Sequence, residues 1–416
     1  MTTGVLHRET AAVAASTPSR LRAEGTRSVA TSAGRVTLSL FRRAEDARER
    51  WLALEQRVAC SCSQSYRWTE AWQRNVADPK GIETAVVIGG IEGKGDVFVF
   101  PFEVVAAAGM RMLRWLGVAQ TNYNFPPIDP SAGASFGAAD ISALLAAAAD
   151  QIGGISGAIL INQPFRWAGV DNPFARLPHQ SSPSAGYAIA LTRDFSKLLE
   201  ERLGPRTRSS LRRKEKRIRD LGQLSFEFCG TTAASNRVLQ TYFDQKAARF
   251  VEVGIGNIFA DPDHRAFYRD MAAGGEAEGR LEMGALKIGA QTAATLGAIR
   301  YQDRANMLLL SIGDGEVTRW SPGVLLINEA IRRACSEGIG VYDFGVGGGS
   351  HKDMWCDGAI ELFDSFVAFR AAGHIVTAPL AAKARLKRLI KSNPTLWSLA
   401  VSMRRLIKGR APDASD

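Results

Sequence analysis

Side chains that can move protons gather around a glycine-rich loop in the last third of the chain. Asp343 lies in an apolar stretch typical of a buried strand, and His351 and Lys352 follow the loop Gly345–Ser350. A poorly solvated carboxylate has a raised pKa and can act as a general base. Asp343 is therefore the predicted base, with His351 as a second candidate and Lys352 as the group that neutralises a phosphate or carboxylate. A structural carboxylate and a surface histidine are the alternatives.

The loop itself matches neither of two common nucleotide-binding patterns. A GxGxxG fingerprint needs glycine where Ser350 stands, and a P-loop needs GK[ST] rather than the Ser-His-Lys found here. The glycines instead indicate a turn with close approach to the backbone. Alternation along the preceding strand puts Tyr342 and Asp343 on opposite faces, so they cannot serve one site unless a bulge intervenes.

A helix start upstream of this loop is predicted to bind an anion. Ser321 suits the N-cap and Pro322 the first helical position, while Gly323 allows close approach to the backbone. The N–H groups of Gly323 and Val324 and the helix dipole are then available to a phosphate, with Arg319 as a charged donor. The alternative is that these residues merely begin a well-capped helix.

The end of a predicted strand near Ser311 and Gly313 offers backbone N–H groups next to this helix start. Such donors can polarise a substrate carbonyl. The strand end, the helix start and the glycine-rich loop together predict a frame that holds an anionic cofactor beside a reacting group.

The formal net charge of +10 is concentrated in two basic segments. Residues 202–219 contain nine Lys or Arg and one Glu, and residues 377–410 contain nine Lys or Arg and no acid. Arg208 and Arg212 share one face of a predicted helix, and Arg249 is a further candidate anion contact. These positions predict an anionic substrate or partner, such as a nucleotide, nucleotide-sugar, lipid phosphate or tRNA. A solvated helix face and a disordered tail are the alternatives.

Composition narrows the class of protein. Of the 416 residues, 46% are hydrophobic and 23% charged, as in ordinary globular proteins, and no apolar run reaches the roughly 18 residues of a membrane span. The five cysteines lack paired spacing, so neither disulfides nor a metal site is predicted. Residues 1–34 are predicted to be a disordered leader. The basic tail 376–416 is predicted to be a membrane-surface helix or a helix packed on the body.

The order of the predicted elements repeats once along the chain. Residues 35–190 begin with a strand and two helices and end with strand Gly186–Leu191, and residues 191–375 repeat the order and end with Leu362–Arg370. We therefore predict a mixed α/β fold of two tandem lobes, with helices on both faces of each sheet.

This order resembles that of the GNAT acyltransferase fold. The second lobe resembles the GNAT-type domain of the CelD/BcsL family of cellulose and exopolysaccharide biosynthesis, which is related to the Fem-type peptidoglycan aminoacyltransferases. The resemblance covers residues 191–370 well and the first lobe loosely. The motifs that carry it are TRSSLRRKEKRI (Thr207–Ile218), KAARF (Lys246–Phe250), FYRDMA (Phe267–Ala272), the strand pair Leu296–Asp314, SPGVLL (Ser321–Leu326) and YDFGVGGGSHKDMW (Tyr342–Trp355).

The resemblance implies an acyl-CoA-dependent transferase with tandem GNAT-like lobes, acetyl-CoA as the typical co-substrate and no metal. The implied acceptor is an amine or hydroxyl of a sugar or cell-envelope precursor, and Tyr342 is implied to protonate the leaving thiolate. The segment Thr318–Gly323 (TRWSPG) departs from the family's Q/R-x-x-G-x-G/A loop, and His351 stands where an aromatic residue is frequent.

Because of these departures, two other roles are kept open. Fem relatives use aminoacyl-tRNA, which is the alternative donor; outside this alternative, no nucleic acid is expected to bind. A non-catalytic partner of a polysaccharide synthase complex is the other alternative. The expected location is the cytoplasm, with peripheral contact to the inner membrane face through the basic tail.

Overall fold

The computed structural model describes residues 24–393, apart from residues 119, 253, 255 and 274–278. Most of the predicted leader and the tail from residue 394 onward lie outside this part. The strands are β1 (Gly25–Thr31), β2 (Gly34–Phe41), β3 (Thr84–Ile91), β4 (Gly95–Ala107), β5 (Met110–Trp115), β6 (Ile155–Pro164), β7 (Arg166–Trp167), β8 (Val170–Asp171), β9 (Gln180–Ser181), β10 (Gly186–Ala190), β11 (Leu224–Phe228), β12 (Leu281–Ile288), β13 (Gln291–Tyr301), β14 (Arg304–Ile312), β15 (Val341–Val346) and β16 (Leu362–Ala368). The helices are α1 (Arg48–Glu55), α2 (Tyr66–Trp72), α3 (Pro130–Ser135), α4 (Ala138–Ile152), α5 (Phe195–Arg202), α6 (Pro205–Leu221), α7 (Thr232–Glu252), α8 (Pro262–Ala273), α9 (Pro322–Ser336), α10 (Ser350–Trp355) and α11 (His374–Ser392).

The first lobe is built on an eight-stranded sheet in the order β1-β2-β3-β4-β5-β6-β16-β9. Its longest strand, β4, alternates so that Phe98, Phe100 and Phe102 share one face and a core with α4. On the other face, Trp51 of α1 shares a core with Val86 of β3. Helices therefore cover both faces of this sheet, as predicted.

The second lobe is built on a six-stranded sheet in the order β10-β15-β14-β13-β12-β11. α9 shares one core with α5 and α6, and α7 and α8 share another core on the opposite face. α9 forms because Pro322 fixes its first turn and an apolar stripe follows at helical spacing, and the chain leaves it at Gly338, whose φ is 76°. The mixed α/β fold with helices on both faces is confirmed.

Each lobe contributes a strand to the sheet of the other. β10 precedes the second lobe but pairs antiparallel with β15, and β16 ends the second lobe but pairs antiparallel with β6. The two crossing segments pair with each other through Gly186 and Ile360. The prediction that each closing strand stays in its own lobe is wrong, because element order along the chain does not reveal which sheet edge a strand joins.

The lobes also share a hydrophobic core. Trp68 and Trp72 of α2 lie edge-on to Phe267 of α8, with ring centroids 4.9 and 5.2 Å apart. These rings belong to one buried cluster that extends to strands β12–β14. The first lobe therefore buttresses the face of the second sheet that lies opposite α9.

The prediction for the N-terminal leader needs correction. Gly25–Thr31 lies in the predicted disordered leader but pairs with β2 along its whole length as a short edge strand. The basic tail begins inside α11, which packs on β16, β6 and β9 of the first lobe. Over the described ranges, no helix combines the length and apolar character that crossing a membrane requires.

Candidate active site

Strands β14 and β15 run parallel but pair over only three residues. Their register runs from Arg304–Val341 to Asn306–Asp343, whereas β14 continues to Ile312. The strands therefore part, and among the described residues no strand lies beside residues 307–312 on this side. At about 3.3 Å per residue, the open edge is about 20 Å long. Alternate residues of a strand direct their backbone N–H groups to such an edge, where they can meet a ligand.

The first turn of α9 lies at the far end of this open edge. A Cβ at Gly323 would lie 3.2 Å from the side chain of Ile312 and 3.7 Å from that of Leu310. Glycine at this position therefore lets the helix start sit directly against the end of β14. The approaching group is the chain's own strand, and anion binding at Gly323 stays a prediction.

Ser321 occupies the N-cap position but does not cap the helix with its side chain. Its φ and ψ are 55° and 56°, in the left-handed region, and its hydroxyl accepts a hydrogen bond from Nζ of Lys214 at 3.0 Å. The N–H of Val324 donates to the Ser321 carbonyl at 3.0 Å, so this N–H is already used. The prediction of Ser321 as a side-chain cap is wrong, because the left-handed backbone turns the hydroxyl toward α6.

The turn before α9 is lined by basic side chains of α6. Lys214 contacts Ser321, and the guanidinium of Arg217 lies 5.9 Å from the ring centre of Trp320. Arg319, by contrast, is 66% exposed and lies 3.6 Å from a carboxylate oxygen of Glu316. The charged donor at the helix start is therefore Lys214 rather than the predicted Arg319.

Asp343 lies where the two strands part, and it is fully enclosed. It is 1% exposed and accepts hydrogen bonds from Tyr123 at 3.0 Å, Arg304 at 2.7 Å and the Gly345 N–H at 2.7 Å. Burial raises its pKa, while the nearby Arg304 guanidinium opposes this shift. The structural carboxylate bonded to the glycine loop, which the sequence left as an alternative, is present. The assignment of Asp343 as a base stays a prediction.

The loop that contains Tyr123 joins the two lobes at this point. The Asn122 carboxamide accepts the Val346 N–H at 3.2 Å, and Asn124 bonds the backbone of β6. A Cβ at Gly345, whose φ is 75°, would lie 2.7 Å from the Asn122 side chain. The glycine-rich loop therefore serves the close backbone approach that the sequence indicated. Sequence reasoning missed the roles of Asn122 and Tyr123, since nothing in their spacing marks them.

Lys352 is buried at the same end of β15 rather than presented to a ligand. Its Nζ donates to the carbonyls of Gly345 at 3.0 Å and Val346 at 3.3 Å, and lies 5.5 Å from the ring centre of Tyr187. Burial lowers its pKa to about 8. Lys352 as a phosphate contact is therefore corrected to a lysine that holds strand carbonyls.

His351 is half-buried beside Phe344, with ring centroids 6.3 Å apart. Burial, and then the charge of Lys352, lower its pKa, which favours the neutral imidazole. Its Nε2 is buried without a hydrogen-bond partner among the described residues. A neutral ring with an unused nitrogen retains the chemistry of a base, so its catalytic role stays a prediction.

Tyr342 points away from Asp343, as strand alternation predicted. It lies in the core beneath α9 and lines a cavity of about 30 Å³ with Ala330 and Arg333, in the second half of that helix. Burial raises its pKa, and its hydroxyl has no partner in the described part of the chain. A cavity of this size holds about one water molecule. The structure therefore does not bring Tyr342 and Asp343 to one point.

The strand end at residues 311–313 differs from the prediction. The Ser311 hydroxyl bonds Thr295 at 2.6 Å and Gln245 of α7 at 2.5 Å, on the face opposite α9. The Gly313 N–H donates to the Ala293 carbonyl at 2.9 Å. The side chain of Ser311 and the N–H of Gly313 are thus committed to the fold. The open edge at residues 307–312 is the part of β14 that can offer donors.

The predicted anion contacts divide into two places. Arg208 and Arg212 line a cavity of about 250 Å³ between α5, α6 and α9, together with apolar Leu325 and Phe226. Arg249 lies on α7, across the sheet, where it pairs with Glu252 at 2.7 Å. Arg249 therefore does not join the other two.

Comparison with known proteins agrees with this geometry. Residues 205–353 match the family model described as an acetyltransferase (GNAT) domain. This match lies within the second lobe. The match begins at α6 and ends within α10, so it includes the parted strands and the start of α9. None of the curated proteins matches the chain, and the CelD/BcsL assignment is not confirmed.

Solved structures at low sequence identity resemble the chain over most of its length. A crystal structure of FemX has a TM-score of 0.54 at 11% identity, covering 76% of this chain and 95% of FemX. A C-terminal domain of a putative lysylphosphatidylglycerol synthetase from Agrobacterium fabrum has a TM-score of 0.49 at 11% identity, covering 82% and 96%. A tandem GNAT protein from the clavulanic acid biosynthesis pathway has a TM-score of 0.42 at 12% identity, covering 80% and 98%.

Proposed function

We propose that the second lobe transfers an acyl group, other than an aminoacyl group, from acyl-CoA to an amine or hydroxyl of a sugar or cell-envelope precursor. The observation that carries this proposal is the parting of β14 and β15 inside the segment that matches the GNAT family model. An extended pantetheine arm fits along an open strand edge of about 20 Å. The acceptor class follows from the family resemblance of the second lobe.

The two ends of the open edge suit the two ends of such a donor. At one end, the start of α9 and the ammonium group of Lys214 provide positive potential for the donor phosphates. Along the edge, backbone N–H groups of residues 307–312 polarise the acyl carbonyl. At the other end, Asp343 is the carboxylate nearest the point where the strands part.

The proton of the acceptor is assigned to the groups around that point. Asp343 is enclosed by Tyr123 and Arg304. It therefore acts as a base only when these side chains move aside and the acceptor reaches its carboxylate. His351 is the second candidate, because a neutral imidazole at physiological pH can accept a proton directly. A His351→Gln variant with wild-type turnover would leave Asp343 as the single candidate.

Calorimetry tests donor binding. Acetyl-CoA and longer acyl-CoAs are titrated into the full chain and into Lys214→Gln, which removes the positive charge proposed to contact the donor phosphates. A lost charged hydrogen bond to a phosphate is worth about 1.5–3 kcal/mol, or about tenfold or more in Kd. Arg319→Gln is the matched control, because this arginine is exposed and paired with Glu316. If no acyl-CoA binds the wild-type chain, CoA-dependent transfer is wrong and the non-catalytic role gains support.

A second candidate is aminoacyl transfer from charged tRNA. The observation that favours it is the outer surface of α6, where four exposed basic residues form no ion pair within the described residues. These bases are Arg206, Arg212, Arg213 and Lys216. Charged tRNA is expected to bind with steep salt dependence in this case. Binding that is unchanged in an Arg212→Gln/Arg213→Gln/Lys216→Gln variant would remove the support for this candidate.

A further inference from the structure

Helix α11 presents an apolar stripe to solvent on the side away from the body. Ile375 is 58% exposed and Leu386 is 59% exposed, and the stripe continues at Leu389. With Ala382 these residues recur at intervals of seven, four and three, which places them on one helix face. Within the described part of the chain, three of the six exposed large apolar side chains lie on this single helix.

The opposite face of α11 fixes the helix to the first lobe. Val376 and Thr377 are buried, at 5% and 3% exposure. The Ala381 carbonyl accepts a hydrogen bond from Gln180 of β9 at 3.1 Å, and Arg385 donates back to Gln180 at 2.9 Å. The stripe therefore belongs to a docked helix and cannot be buried by packing that helix onto its own lobe.

The charge on α11 indicates which kind of surface the apolar stripe binds. The helix contains five Lys or Arg and no Asp or Glu. Lys383 directly follows Ala382, and Arg385 directly precedes Leu386. One basic residue therefore flanks the stripe on each side. A helix with an exposed apolar stripe between bases lies in the headgroup region of an anionic bilayer, with its axis parallel to the surface.

We propose that α11 docks the protein onto an anionic phospholipid surface, with Ile375 and Leu386 inserted at the level of the lipid headgroups and the flanking bases on lipid phosphates. Each base near such a surface adds attraction that depends on ionic strength. The docking rests on the apolar stripe and the basic residues of α11, and it is independent of which donor the second lobe takes.

Vesicle flotation of the full chain tests this proposal. The wild-type chain is expected to float with vesicles of phosphatidylcholine mixed with phosphatidylglycerol but not with phosphatidylcholine alone. Ile375→Glu/Leu386→Glu is expected to lower the bound fraction at least about tenfold, because it removes the inserted side chains and adds negative charge. Leu221→Glu is the matched control, since Leu221 is an exposed leucine on α6 and should leave flotation unchanged.

A second variant, which changes only charge, distinguishes lost membrane binding from misfolding of Ile375→Glu/Leu386→Glu. Lys383→Gln/Lys387→Gln changes only exposed side chains and is expected to weaken flotation and flatten its salt dependence. The proposal is overturned if the wild-type chain does not float, or if Ile375→Glu/Leu386→Glu floats as well as wild type. It is also overturned if only a chain ending at Asn393 floats, since residues 394–416 then cover the stripe. A dimer by light scattering that the glutamate variant dissociates, without flotation, points to a second copy instead.

Discussion

The two lobes contain the same device, a parallel strand pair that parts, but they close it differently. In the first lobe, β5 and β6 pair from Arg111–Ile155 to Arg114–Ile159, and the backbone and side chain of Asn124 then bond β6 where β5 has left it. In the second lobe, the end of β15 is bonded by side chains, among them Asn122 and Lys352.

What surrounds each parting also differs. Beside β5, the rings of Phe102, Trp115 and Phe174 pack with centroids 5.1 to 5.3 Å apart. Beside β15 lie titratable groups, of which Asp343 and Lys352 have pKa values shifted by burial. The comparison indicates that parted parallel strands have a structural role where aromatic rings pack beside them, and form a candidate site where titratable side chains with shifted pKa values lie beside them.

The largest effect is expected from breaking the buried ion pair at the second parting. Arg304→Met leaves Asp343 buried without its cation, and such a loss costs about 3–5 kcal/mol. Denaturant unfolding should show a lower midpoint, and acyl-CoA affinity should fall as β15 loosens. The matched variant is Arg114→Met, which breaks the cross-strand pair with buried Glu103 in the first lobe. It should destabilise the chain without changing donor affinity, and equal effects of the two variants on binding would contradict the division between the lobes.

A moderate effect is expected from a substitution at the helix start. Gly323→Val adds a side chain within 3.2 Å of Ile312 and should push the first turn of α9 off β14. We expect acyl-CoA to bind about tenfold more weakly, equivalent to about 1.4 kcal/mol. Gly358→Val serves as the control, because a Cβ there meets nothing within 4 Å. Unchanged affinity in Gly323→Val would move the donor site away from α9.

A pH-dependent effect is expected from Lys352. Its pKa falls from 10.5 to about 8 on folding, so the unfolded chain holds more protons between these values. Stability contributed by this position should therefore rise with pH from about 8 to 10.5 and be absent from Lys352→Met. The first lobe closes its parting through Asn124, which does not titrate. Denaturant unfolding at several pH values measures this. If the free energies of unfolding of wild type and Lys352→Met change with pH in the same way, the lysine is not buried in solution.

The fold class and the helix start could be predicted because they depend on local patterns. Alternation marks the long strands, and Pro322 with Gly323 marks where α9 begins. The exchange of β10 and β16 could not be predicted, since pairing between distant strands leaves no periodic signal in one sequence. β1 was missed because its composition matches that of an unstructured segment.

The site was predicted only in part for the same reason. Asp343 and the glycine loop were found because they lie together in sequence. Their partners Tyr123 and Arg304 lie on other elements, and only the folded chain brings them within hydrogen-bond distance. Lys214 was one of nine bases in a basic segment, and nothing local distinguishes the one that contacts Ser321.

Hydrogen–deuterium exchange with and without acetyl-CoA tests the central claim most directly. The claim is that the parting of the second lobe binds the donor and that of the first lobe does not. We predict slower exchange in residues 307–324, which cover the open edge of β14 and the first turn of α9, and no change in residues 110–116 of the first lobe. Unchanged exchange in residues 307–324 at saturating acetyl-CoA, or protection confined to the first lobe, would contradict the claim.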